Sequence, residues 1–162
     1  MKRPPVFIEK IMPVKLLNQQ VYYEHGGNPF KGLHRWYSRK PLSFSRASVL
    51  ASILPADISM EEFEYLLGLH PEKDGILVNK KEPIKLYKTP PSSRIIETLE
   101  EYCEKVWGKR KPVCLDAFAG GGSIPFEAAR YGLNVLASDL NPVAVVTFFK
   151  NLCGKGICTT FP

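Results

Sequence analysis

The sequence predicts an α/β protein with a parallel sheet, and three observations carry that expectation. Short apolar runs at 113–117 and 135–138 flank a helical stretch at 123–131. That order is a βαβ unit, which is normally right-handed. Three consecutive glycines, Gly120, Gly121 and Gly122, stand between the first run and the helix. Ahead of residue 113, helix signals punctuated by proline and glycine predict a mostly helical region.

The elements follow in chain order. Residues 5–24 mix apolar and polar positions without a clean period, and Pro13 limits any helix there. Gly26, Gly27, Asn28, Pro29 and Gly32 make a turn-rich stretch. Leu42, Val49, Leu50 and Ile53 then form one apolar stripe of a helix that Pro41 introduces and Pro55 ends. Ser59 and Glu62 form a capping box for a short helix stopping at Gly68. Residues 70–91 read as loop with one strand at 76–78, bounded by Pro71, Pro83, Pro90 and Pro91. Ser92 or Ser93 caps the next helix, with Ile95, Leu99, Tyr102 and Val106 on its buried stripe. Glu97, Glu100, Glu101 and Glu104 face water, and Gly108 ends it. Past the βαβ unit, Asn141 and Pro142 open a last helix toward Lys150. The organisation expected is a basic N-terminal region at 1–56, a loop-rich insertion at 57–91, and the start of the α/β core at 92–162.

At 162 residues the chain is long enough to bury a core. No apolar run approaches the ~20 residues of a membrane span, and the N-terminus lacks the apolar stretch of a signal peptide. Cytoplasm is the expected compartment. Four cysteines do not suggest a disulfide scaffold. Cys153 and Cys158 lack a second ligand pair, so no metal site is expected. Residues 1–50 hold nine Lys/Arg against two Glu, a balance of +7, whereas 51–162 hold thirteen against fourteen acids. Such asymmetry points to a polyanion, nucleic acid first, or to a solvated basic face.

The glycines sit at the carboxyl end of the first strand, where βαβ units bind ligands. Lacking Cβ atoms, they admit tight turning and a close backbone approach. Asp139 ends the second strand, nineteen positions after Gly120. An acid at that spacing accepts hydrogen bonds from both hydroxyls of an adenosine ribose. The dinucleotide fingerprint needs a third glycine three residues after Gly122, where Pro125 stands, and the phosphate-loop motif is absent. S-adenosylmethionine has the ribose without a phosphate, and Asp116 can accept from its ammonium. A turn cap is the structural alternative for Asp116.

With these residues in view, LDAFAGGGSIPFEA and ASDLNPVA resemble the cofactor motifs of S-adenosylmethionine-dependent methyltransferases acting on exocyclic amines of DNA. LHRWYSRKPLSFSRASVL resembles the N-terminal region of large adenine-specific DNA methylases, with Tyr37 in place of a second tryptophan. The resemblance covers about residues 5–55 and 90–150. It implies a partial Rossmann-like core with a cofactor site made from Asp116, Phe118, Ala119, Gly120, Gly121, Gly122, Asp139, Leu140 and Asn141. His34, Trp36, Arg39 and Lys40 are candidates for substrate or cofactor contact. Cations interleaved with rings suit phosphates and bases, or a cofactor carboxylate met at a helix start. A core-anchoring Trp36 is the structural alternative.

Methylating an exocyclic amine also needs acceptors for its hydrogens and a ring stacked on the flipped base. The resembled family supplies them in a D/N/S-P-P-Y/F/W motif, which this sequence lacks. No catalytic residue is assigned. Residues 154–162 show no period, and the chain reads as the front part of an enzyme: either a degraded or split gene product, or one whose remaining sheet and catalytic loop a second polypeptide supplies. DNA is the expected substrate. The alternatives are a nucleic-acid-binding module with a vestigial core, and an RNA or small-molecule methyltransferase.

Overall fold

The computed structural model describes residues 3–25, 36–37, 39–77 and 82–153, with side chains to residue 150. The turn-rich stretch at 26–32, His34, Arg35, Val78 and residues 154–162 lie outside the described residues. Among those described, the protein is a mixed α/β structure of six α-helices and one two-stranded parallel sheet.

Helix α1 (Val14–Glu24) begins where Pro13 stands at the N-cap, so the proline that was expected to limit a helix starts one instead. A proline without a free N–H costs nothing at a position whose N–H has no helical partner. Helix α2 (Leu42–Ile53) follows with Pro41 as N-cap. Ser59 caps α3 (Met60–Leu67) by accepting from the Glu62 amide at 3.1 Å. The strand expected at 76–78 does not form at Ile76 and Leu77, which are exposed and unpaired with any other strand. Among the described residues the sheet has two strands, and neither includes Ile76 or Leu77.

Ser92 caps α4 (Ser93–Trp107), accepting from Ile95 N–H at 3.1 Å. Its buried stripe is Ile95, Leu99 and Cys103, while Tyr102 is half-buried. Strand β1 (Val113–Asp116) pairs in parallel with β2 (Asn134–Ala137) across α5 (Ser123–Arg130), and α6 (Pro142–Cys153) follows. The ladder sets Cys114 beside Val135 and Leu115 beside Leu136. Cys114 and Val135 point to the core, whereas Val113, Leu115 and Leu136 are exposed. Parallel sheets are ordinarily covered on both faces, so this open face is unusual.

The main core draws on the whole length of the chain. Phe7, Leu17, Leu50, Phe63, Leu86, Leu99 and Tyr131 belong to one apolar cluster, in which the Phe7 and Phe63 rings stack at 4.4 Å. Two polar groups bind distant pieces to it. Buried Gln20 donates to the Ile84 carbonyl and accepts from Leu86 N–H, at 3.1 and 3.2 Å. Buried Arg46 on α2 meets Glu127 on α5 at 2.7 Å, and also donates to the carbonyls of Leu67 and Thr89. A second cluster of Leu42, Tyr87, Ala119, Phe126 and Phe148 lies against the glycine turn. Among the described residues no helix is long and apolar enough to cross a membrane.

Candidate functional site at the glycine turn

The turn leaves β1 through Asp116, whose Oδ1 accepts from Phe118 N–H at 3.1 Å, so one carboxylate oxygen acts as a turn cap. Beyond the strands the two loops stay knitted: Ser138 N–H donates to Asp116 C=O and Ala119 N–H to Ser138 C=O, at 2.9 and 3.0 Å. Asp139 completes the brace. Its Oδ2 accepts from Gly120 N–H and its Oδ1 from Asn141 N–H, both at 2.8 Å. These two amides hold its carboxyl below the usual aspartate range, against a small opposing effect of burial. A depressed carboxyl contributes at neutral pH and loses that contribution only as pH falls through its lowered value. Each oxygen keeps a further lone-pair direction, so the brace does not exhaust what Asp139 can accept.

The missing side chains of the turn are matched by the chain's own atoms. A Cβ on Gly120 would lie 2.8 Å from Trp36 Nε1, and one on Gly121 2.8 Å from Arg39 Nε. On Gly122 it would lie 2.4 Å from Phe148 Cβ. The close approach predicted for a ligand is therefore made, at all three glycines, by Trp36, Arg39 and Phe148. Arg39 is half-buried there, and burial lowers the pKa of its guanidinium. Phe118 and Leu140, by contrast, point outward, with Leu140 93% exposed. Ala119 is buried beneath the turn, and Asn141 Oδ1 accepts from Val143 N–H at the start of α6.

The helix start at which Arg39 and Lys40 were expected to meet a cofactor carboxylate already has an acid, Glu24, on its first amides. The Glu24 carboxylate accepts from Leu42 N–H at 2.8 Å and from Ser43 N–H and Oγ–H, each at 3.2 Å. The first amides of α2 are thus occupied from within, and an incoming anion would have to displace a buried acid. Lys40 is exposed and Tyr37 almost fully so, while His34 lies outside the described residues.

A family model described as a protein of unknown function, DUF1156, matches residues 11–73. The matched part carries Glu24, Trp36, Arg39 and Arg46, but stops well before the glycine turn those residues pack against or support. No curated protein and no solved structure matches the chain.

Among the described residues no group of three His, Cys, Asp or Glu gathers as metal ligands. The side chains of Cys153 and Cys158 lie outside them. Three residues of the site were invisible to sequence reasoning: Glu24, Arg46 and Glu127. Charged residues read as surface, and their role rests on partners 18 and 81 positions away. Ser123 was missed as well, being hidden as an ordinary first residue of α5.

Proposed function

We propose that this chain is the cofactor-binding portion of an S-adenosylmethionine-dependent methyltransferase acting on the adenine amine of DNA. The observation that carries the reading is Asp139. It sits at the carboxyl end of the second of two parallel strands, within hydrogen-bond reach of the glycine turn that follows the first. A ligand at the carboxyl ends of these strands would meet its spare lone pairs, as an adenosine ribose requires. Residues of the resembled motifs belong to the same turn: Asp116 caps its start, and Trp36 and Arg39 lie against Gly120 and Gly121. When bound, the cofactor supplies an electrophilic methyl group on its sulfonium. This chain's part is to bind and orient the donor, since it carries no motif that would hold the acceptor base.

Asp139→Ala is expected to weaken S-adenosylmethionine about tenfold, ~1.4 kcal/mol, by calorimetry. Because Asp139 also braces the turn, an adenosine analogue lacking both ribose hydroxyls separates the roles. It should bind wild type and variant alike. Equal affinity of S-adenosylmethionine for the two proteins would eliminate the ribose contact.

One observation favours a second reading, a nucleic-acid-binding module with a vestigial core. Asp139 is already engaged by two amides, and the glycines are already packed by the chain itself. In either reading the DNA contacts come from the cations that remain in water. Among the described cations of residues 1–50, Arg46 is buried against Glu127 and Arg3 pairs with Glu9, while Lys10, Lys15 and Lys40 are exposed. Duplex binding should weaken with salt, and Lys40→Ala should reduce the slope of log K against log salt by about 0.9. An unchanged slope in a fluorescence titration would remove Lys40 from the interface.

A further inference from the structure

The first helix after the glycine turn begins with Ser123, a buried residue whose hydroxyl does not cap its own helix. It donates instead across 83 positions to the carbonyl of Lys40, at 2.8 Å. Lys40 immediately follows Arg39, and Trp36 lies three residues before that. These are the two side chains lying on Gly121 and Gly120. On the far side of Lys40, Glu24 holds the first two amides of α2, and Leu42 is sunk in the cluster beneath the turn.

We propose that Ser123 is a positioning residue. Its hydroxyl fastens the backbone at Lys40 and so sets Trp36 and Arg39 as one wall of the site that takes the cofactor. The wall part of this inference rests on the cofactor reading above; the fastening does not. Glu24 and Leu42 fix where α2 starts but act downstream of Lys40. The Ser123 hydrogen bond reaches back toward Arg39 from the first residue after the turn. A serine serves here because its short side chain can leave the helix start sideways. An alanine would keep the helix and lose the tie.

The test uses the full chain with Trp107→Phe, so that Trp36 is the single indole; Trp107 donates to the Ile53 carbonyl in another part of the protein. Acrylamide quenching of Trp36 fluorescence reads the fastening, and calorimetry reads S-adenosylmethionine. Ser123→Ala should raise the quenching constant and weaken S-adenosylmethionine about fivefold, the effect of one ordinary hydrogen bond. Ser123→Thr keeps the hydroxyl and should restore both. If its added methyl lowers the melting temperature, the alanine comparison decides alone. Quenching unchanged by Ser123→Ala would overturn the fastening, whatever happens to binding. Raised quenching with unchanged affinity would overturn the wall. Failure of the parent protein to bind S-adenosylmethionine, with quenching still responsive to Ser123, would overturn the cofactor reading instead.

Discussion

Glu127→Ala should cost the protein about 3–5 kcal/mol of stability, because it leaves the Arg46 guanidinium charged and buried without its counterion. Arg46 is 1% exposed and Glu127 not at all, and they meet at 2.7 Å. Burial works against the Arg46 charge, but Glu127, Tyr131 and Glu24 together outweigh it and hold the guanidinium protonated more firmly than usual. Glu127 also takes a bond from Arg130 at 2.8 Å, so its loss frees a second cation. Whole domains hold only about 5–15 kcal/mol, and a chain of this size loses roughly 2–4 °C of melting temperature per kcal/mol. A fall of about 10 °C is therefore expected, read by thermal and urea unfolding together. Replacing Arg46 and Glu127 both by Met should recover much of the loss, because neither member of the pair is then left buried without its counterion. A loss under about 1 kcal/mol for Glu127→Ala would mean that water reaches the pair, contrary to its burial.

The same pair shows where sequence reading stops. Helices α3 and α4 were legible because their signals are local: Ser59 and Ser92 cap them, and Gly68 and Gly108 end them. The βαβ unit was legible for the same reason, with boundaries within one residue at most ends. Helix α1 was not. Its buried positions are Leu17, Gln20 and Glu24, and two of those three are polar. A stripe of that kind carries no hydrophobic period. It is buried only because Gln20 finds the backbone at Ile84 and Leu86, and Glu24 finds the start of α2. Likewise the α2 stripe was correct in Leu42, Val49 and Leu50, yet its largest buried side chain is Arg46. The glycine turn was located from sequence with its acid. What fills the space above the glycines was not legible, because Trp36, Arg39 and Phe148 approach from elements far apart in the chain.

Among the described glycines, Gly122→Ala should be the most damaging substitution. Gly122 has a φ of +78°, in the left-handed region that costs an L-residue about 1–2 kcal/mol. Its new Cβ would stand 2.4 Å from Phe148 Cβ and 3.1 Å from Phe148 Cα. The second contact is with backbone, so rotating the phenylalanine does not relieve it; α6 itself must move, and overpacking of that kind adds about 1–3 kcal/mol. Gly108 provides the control. Its φ is +67°, but a Cβ there meets nothing within 4 Å, so Gly108→Ala should show the conformational penalty alone. Denaturant unfolding of the two variants should differ by the overpacking cost, and equal losses would show that α6 does not press on the turn. Gly121→Ala adds the functional contrast. Its contact at 2.8 Å is with the Arg39 side chain, which can swing away. It should spare stability relative to Gly122→Ala while displacing Arg39 from the turn. Under the cofactor reading, S-adenosylmethionine affinity should then fall more than stability does. If Gly121→Ala leaves that affinity intact, the bare backbone at residue 121 serves the packing of the chain against itself, and the ligand lies elsewhere.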